Sequence, residues 1–462
     1  MNKMKKNFGA TQLAVFLSLA LIFALFFGCD ATAPGGCNPQ PTTDLLPVVF
    51  VHGMAGSADQ FSLQAQRFAS NGYPADLISG VEYDTTMANN TYRQVMEIMD
   101  AHIDKVLAQT GADQVNLVGH SMGTMMSVRY LTSKKARAAK VAHYVNVDGT
   151  IANQAPGGVP TLAIWAALTG EGRSFTGATN VTLPAQTHVQ ACTSAETFAE
   201  MYKFFNGEEP DTVDVVPEAP GATVTIAGKL TTFLTNANPQ NYKIDIYEVN
   251  PQTGMRTSTE PAYSQDIDPD GSFKFTNAVV GKKYEFATHS DDDPDMTQHF
   301  YYEALIRSNL LMRFKIAEPG SALAKLLETS ADQANLTIVR DKELVGNAED
   351  RPNQTLLKND SLTVNGIELC SPESAPILNA TIGLELYDAG TDGQSDVTKN
   401  INKFASIPFI GGIDLYLQGE TPPQDTISVV LNGRQNGGLT QEINVPNWSS
   451  ATDKITVQFR PF

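Results

Sequence analysis

With 462 residues, 42% of them hydrophobic, the chain has enough apolar material for two or three domains with a core each. Its 32 Lys+Arg against 50 Asp+Glu leave a formal net charge of −18. No basic cluster offsets that charge, which argues against a nucleic-acid partner, since neutralising phosphates needs one.

The chain opens with a targeting pattern over residues 1–29. Lys3, Lys5 and Lys6 form a positive start, Leu13 to Phe27 is apolar, and Gly28-Cys29 follows. A small residue and then Cys after an apolar run resembles a bacterial lipoprotein signal, which implies lipidation of Cys29 and a membrane anchor. Ala31-Thr32-Ala33 offers a competing cleavage site for free secretion. Phe26 departs from the lipoprotein pattern, which usually has leucine there. Residues 30–44, rich in Pro, Gly and Thr, read as a tether. An exported setting permits a disulfide among Cys29, Cys37, Cys192 and Cys370, but lipidation of Cys29 would leave an odd number.

Residues 45–209 read as alternating strands and helices, hence a mainly parallel α/β sheet. Leu45 to Val51 is a continuous apolar run, as expected of a strand buried on both faces. The Gly-rich His52-Gly53-Met54-Ala55-Gly56-Ser57 follows, able to turn tightly and aim backbone N–H groups at a ligand. A helix carrying Phe61 and Phe68 ends at Asn71-Gly72. A second runs from Tyr92 to Leu107, with Val95, Met99, Ile103 and Val106 on one face and Gly111 at its end.

The stretch Asp113 to Leu131 carries the chemistry. Gly119-His120-Ser121-Met122-Gly123 is a G-x-S-x-G pentapeptide between a short apolar strand and a helix with Met125, Val128 and Leu131 at helical spacing. Such a turn presents the Ser121 hydroxyl at the helix N-terminus. A nucleophilic serine needs a base and an orienting acid. Of the later histidines, His143 lies within an apolar strand, and His289 and His299 lie in the second half as surface residues or core tethers. His188 follows the strand Asn180 to Leu183 in a polar loop and precedes the helix SAETFAEMYKFF, so it is the expected base. Asp148, at the end of the strand Val141 to Val147, and Glu171, in a Gly-flanked loop, compete as the acid. Asp148 is preferred because a Gly-flanked loop carboxylate is more often simply solvated. Backbone N–H groups of Met54 and Met122 are the expected oxyanion hole, and the chain order Ser…Asp…His is that of α/β-hydrolases.

An acidic, Pro-rich linker, EEPDTVDVVPEAPGA, separates this half from an all-β, sandwich- or barrel-like tail. Residues 221–289 read as a small antiparallel sandwich resembling prealbumin-like modules. Residues 298–462 read as a second β unit, or part of one composite domain. Asp266, Asp268 and Asp270-Gly271, and Asp388, Asp392-Gly393 and Asp396, invite a calcium reading. The first lacks the closing Glu of a calcium loop, so Asp/Gly hairpin turns are preferred and no metal or cofactor is expected. Val159 to Leu168 reads as a sheet strand in preference to a lid. HFYYEALIRSNLLMRF reads as a core segment bridging the domains or, alternatively, a wall for an acyl chain.

The blocks PVVFVHGMAGS, GHSMG and THVQACTSAETFAEMYKFFNG resemble small triacylglycerol lipases. AAKVAHYVNVDG, with the spacing from Ser121 to Asp148, is more similar to archaeal-type lipases with a C-terminal β domain. Looser tail motifs (ELYDAGTDGQSD, VPNWSS) fit the same family. The resemblance implies a minimal α/β-hydrolase, catalytic Ser121, Asp148 and His188, a lipid or ester substrate at an oil–water interface, and a tail that helps bind long acyl chains. A polyester-degrading esterase with the same triad, and a surface binding protein with a vestigial hydrolase domain, are the alternatives.

Overall fold

The computed structural model describes residues 45–170, 172–317, 320–321, 324–344, 360–371, 374, 378, 380–404, 406–434 and 438–461. The expected signal and tether, Cys29, Cys37 and Glu171 therefore lie outside the described residues.

The first half is a six-stranded, wholly parallel sheet in the order β2-β1-β3-β4-β5-β6. Its strands are β1 (Val48–Val51), β2 (Ile78–Val81), β3 (Val115–His120), β4 (Val141–Val147), β5 (Thr161–Ala166) and β6 (Thr179–Leu183). Alternation explains why β1 is apolar at every position. Val48 and Phe50 enter one core with Phe61, Phe68, Phe198 and Met201, while Val49 and Val51 enter the opposite core with Val95, Met99, Ile103 and Tyr130. The helices α1 (Ser62–Ser70) and α6 (Ala195–Asn206) supply the first core. The second is supplied by α2 (Tyr92–Thr110) and α3 (Met122–Ser133). Short helices α4 (Lys135–Ala138) and α5 (His188–Thr193) complete this half. A Thr91–Gln94 capping box starts α2, and Gly111 at φ 72° ends it. Val159 to Leu168 contains β5, a sheet strand, as expected. Cys192 and Cys370 are buried, unbridged thiols. Among the described residues no helix is long and apolar enough to cross a membrane.

The tail has three sheets. β7 (Thr223–Thr232), β10 (Ser272–Val279) and β13 (Asn309–Ile316) form the smallest. The largest has nine strands: β8 (Tyr242–Val249), β9 (Tyr263–Asp266), β11 (Lys283–Ser290), β12 (Asp293–Tyr302), β14 (Leu336–Arg340), β17 (Gly383–Tyr387), β18 (Asp396–Asn400), β19 (Ile410–Asp414) and β22 (Asp453–Phe459). The third comprises β15 (Ser361–Val364), β16 (Ile367–Glu368), β20 (Thr426–Asn432) and β21 (Thr440–Pro446). The three-stranded sheet packs on one end of the nine-stranded sheet, through Ile226, Phe273 and Phe314 against Ile246 and Phe286. The four-stranded sheet packs on the other end, through Leu362, Val429 and Ile443 against Ile338, Leu384 and Val457.

Two expectations need correction. The break drawn between residues 289 and 298 falls inside a continuous sheet, because β12 pairs with β11 on one side and with β22 on the other. Strand pairing across so many residues leaves no local mark, and the sheet itself runs unbroken through that place. The acidic clusters are not hairpin turns either. Asp268 and Asp270 shape the turn by which the chain passes from one sheet to another, where the Gly271 N–H donates to the Asp268 carbonyl (2.7 Å). Asp388 accepts from the Gly393 N–H (2.8 Å) in a loop joining β17 and β18, which are separated by β19.

The bridging segment divides into β12, a loop and β13. Leu311 inserts into the core of the first half, and the Arg313 guanidinium pairs with Glu82 at 2.6 Å. The tail is thereby fastened directly onto the parallel sheet.

Candidate active site

Ser121 sits between β3 and α3 at φ 53°, ψ −121°, a conformation uncommon for a residue with a side chain. Packing enforces it. A Cβ on Gly123 would lie 2.1 Å from the Val51 carbonyl oxygen, and one on Gly119 would lie 2.8 Å from that of Gly123. Only glycine at both positions lets α3 start this close to β1, which lifts the Ser121 side chain above the strand ends.

His188 Nε2 is 2.8 Å from Ser121 Oγ, and His188 Nδ1 is 2.6 Å from Asp148 Oδ2. Asp148 directly follows β4, is 1% exposed, and has φ 41°. Its other oxygen accepts from the Ala166 N–H (2.9 Å) and from the Arg173 guanidinium (2.7 Å). Burial pushes this carboxyl upward, but the His188 hydrogen bond, the charges of His188 and Arg173, and the Ala166 amide outweigh it. The net pKa is held below the usual value, so the group is ionised at neutral pH.

His188 is not in a free loop, as expected, but is the first residue of α5. Its position is set from two sides. His120 Nε2 donates to the His188 carbonyl at 3.1 Å, and burial drives His120 down to about 3, so this ring is neutral at working pH. From the tail, the Glu343 carboxylate accepts from the N–H groups of Val189 (2.7 Å) and Gln190 (3.1 Å) and from the Thr187 hydroxyl.

Gly53 abuts Ser121 so closely that a Cβ there would lie 2.9 Å from Ser121 Cβ. Among the described residues, the backbone N–H groups of Met54 and Met122 have no acceptor. The Gly-rich loop holding Met54 is braced by the tail: Asn236 donates to the Gly56 carbonyl at 2.8 Å. Thr85 Oγ1 accepts from the Ala55 N–H at 3.1 Å and donates to the Leu234 carbonyl. Such an arrangement can deprotonate a serine hydroxyl, carry the resulting imidazolium, and receive an oxyanion.

The other histidines lie elsewhere. His143 bonds Asn116 (2.9 Å) on the sheet, and His289 sits beside Asp245. His299 is buried in the tail between Glu285 (2.6 Å) and Asp453 (2.7 Å), stacked on Trp448. Burial raises the Glu285 carboxyl, but Arg256 and His299 bring it down to about 2. A depressed carboxyl stabilises the fold above its unfolded pKa and loses that contribution as pH falls. The urea midpoint of the wild type is therefore expected to fall from pH 5 towards pH 2 more steeply than that of Glu285→Gln; parallel curves would refute this.

Arg173, Glu343, His120 and Asn236 were not singled out from sequence. His120 lay inside the pentapeptide and could have been flagged. Arg173 and Glu343 are placed by tertiary contacts alone.

A cavity of about 130 Å³ opens at Ser121 and His188. Met54, Gln60 and Val189 line it from the first half, and Phe300, Phe404, Phe409, Ile410 and Lys454 from the tail. The Phe409 ring lies 6.3 Å from that of His188, near parallel.

Comparison with known proteins matches three separate stretches of the chain. Residues 45–148 match the family model Lipase (class 2), and residues 222–319 match the Lipase C-terminal domain model. Residues 322–462 match a C-terminal domain model of another family. Among solved structures, Aspergillus fumigatus lipase B is 12% identical with a TM-score of 0.32, over 38% of this chain and 56% of that one. This chain thus spans little more than half of that lipase. Est1E from Butyrivibrio proteoclasticus is 12% identical with a TM-score of 0.26, over 36% of this chain and 89% of that one.

Proposed function

We propose that this chain, an α/β-hydrolase of the lipase/esterase type with a lipase C-terminal domain, is a serine hydrolase of carboxylic esters with long acyl chains, triacylglycerols included. The observation that carries the reading is the unbroken relay from Ser121 through His188 to Asp148. Ser121 Oγ attacks the ester carbonyl carbon while His188 Nε2 takes its proton. The tetrahedral oxyanion is received by the Met54 and Met122 N–H groups. Asp148 holds His188 in the tautomer that presents a free Nε2 lone pair and stabilises the imidazolium. His188 then gives the proton to the departing alcohol, and water repeats the sequence on the acyl-enzyme.

The aromatic and aliphatic lining of the cavity supports long acyl chains as substrates. Burial contributes roughly 0.8 kcal/mol per CH₂, about fourfold in kcat/KM for each methylene accommodated. Initial rates over p-nitrophenyl esters from acetyl to stearoyl, with Ser121→Ala as blank, are expected to rise with chain length to a maximum beyond octanoyl. A maximum at acetyl to butyryl would make the enzyme a short-chain esterase, and no rate above the blank would leave a binding protein.

Export is part of the same proposal, with Cys29 as the lipidated first residue of the mature chain and residues 30–44 as the tether. The intact mass of the mature N-terminus tests it: a diacylglycerol adduct on Cys29 supports the anchor, and a chain beginning near Pro34 refutes it.

A further inference from the structure

The wall that the tail contributes to the cavity includes one face of the nine-stranded sheet, and that face sets a row of polar side chains beside the apolar lining of Phe300, Val339, Phe409 and Ile410. Side chains along β22 alternate. Ile455, Val457 and Phe459 belong to the core beneath the four-stranded sheet, while Lys454, Thr456 and Gln458 face the other way and line the cavity with Ser121 and His188. Neighbouring strands extend the polar row in part: Gln298 lies beside Lys454 and Thr337 beside Thr456, while Phe300 flanks Thr456 on the other side and Val339 flanks Gln458. Glu385, paired with Thr337 across β14 and β17, lines the cavity too and accepts from the Thr337 hydroxyl at 2.8 Å.

These groups are largely unspent. Among the described residues, Lys454 Nζ, Thr456 Oγ1 and the Gln458 amide make no direct hydrogen bond or ion pair, and the Lys454 ammonium is attracted only at longer range by Glu385 and Asp293. By strand geometry they form a row about 14 Å long from Lys454 to Gln458. A plain alkyl chain laid along that row gains nothing from these three groups, although the apolar lining still accommodates it. A chain bearing oxygen atoms would give them hydrogen-bond partners. A site built to hydrogen-bond a substrate discriminates strongly against the analogue that lacks the group.

We propose that Lys454, Thr456 and Gln458, with Glu385 beside them, form a subsite for acyl chains that carry hydroxyl or internal ester oxygens along their length. Lys454 and Gln458 donate to such oxygens; Glu385 and Thr456 accept from a hydroxyl. This inference rests on the serine-ester reading and names its preferred substrate class.

The test compares p-nitrophenyl decanoate with p-nitrophenyl 6-, 8- and 10-hydroxydecanoate, chains of equal length. For the full-length wild type, kcat/KM for at least one hydroxy isomer is expected to exceed that for decanoate by about fivefold, the size of one net hydrogen bond. Lys454→Met/Thr456→Val/Gln458→Leu is expected to bring that ratio to one or below, whereas Lys282→Met, at an exposed site beside Glu248, keeps it. Should the triple variant not fold, Lys454→Met and Thr456→Val alone give the same readout. A wild-type ratio at or below one for every isomer, or a ratio unchanged in the variants, overturns the subsite and leaves the ester-hydrolase reading standing. Failure to cleave any of the four esters would overturn both.

Discussion

Replacing Asp148 by Asn is expected to lower kcat by about 10⁴-fold with little change in fold, the scale seen when the acid of such a relay becomes an amide. An Asn side chain at that place keeps the volume of the carboxylate but can present its NH₂ to His188 Nδ1. The imidazole would then carry its proton on Nε2, the atom that must accept from Ser121. The charge that stabilises the imidazolium is lost as well, and Arg173, now 2.7 Å from Asp148, would be left without its counter-charge. The rate on a p-nitrophenyl ester, set against Ser121→Ala, measures the effect. Activity retained in Asp148→Asn but lost in Glu171→Gln would move the acid to Glu171.

Truncation of Glu343 to Ala is expected to lower kcat by about 100-fold, although this residue lies in the tail and its sequence neighbourhood carries no catalytic motif. Helix α5 has six residues, too few to persist alone, and Thr187 provides no side-chain cap. Its first N–H groups need acceptors, and the Glu343 carboxylate supplies them at Val189 and Gln190. Without it, two N–H groups remain unsatisfied at about 1–3 kcal/mol each, and the first turn, which begins at His188, is free to shift. A displacement of roughly 1 Å in a base costs about 100-fold. The fall should appear in kcat more than in KM, and Glu343→Gln, which keeps one acceptor oxygen, should recover part of it. An unchanged kcat in Glu343→Ala would show that α5 holds its own position.

These two residues mark how far local sequence reaches. Asp148 could be read because it directly follows an apolar strand and precedes Gly149. Ser121 was legible because its glycines and flanking strand and helix lie within 19 residues. The parallel sheet could be read for the same reason, since burial on both faces makes strands such as β1 apolar at every position. Arg173 is one of many loop cations until folding sets it on Asp148 and over the Trp165 ring.

The tail shows the opposite regime. Each of its strands is visible as a β-branched or aromatic run, yet nothing in a strand names its partner. β22, the last strand, runs between β12 and β14 and joins what looked like two units. The alternation of polar and apolar residues in β22 is plain in Lys454 to Phe459, and taken alone it describes a strand with one face in water. Only the docking of β13 on the first half, through Leu311 against α1 and Arg313 on Glu82, brings that face to Ser121. Local order along the chain thus determined the Ser121 turn, the place of His188 ahead of α6, and the sheet that carries them, because those depend on neighbours a few residues apart. Long-range pairing decided which acid oxygens, helix ends and cavity walls surround them, because a contact across 150 residues depends on where the whole chain closes.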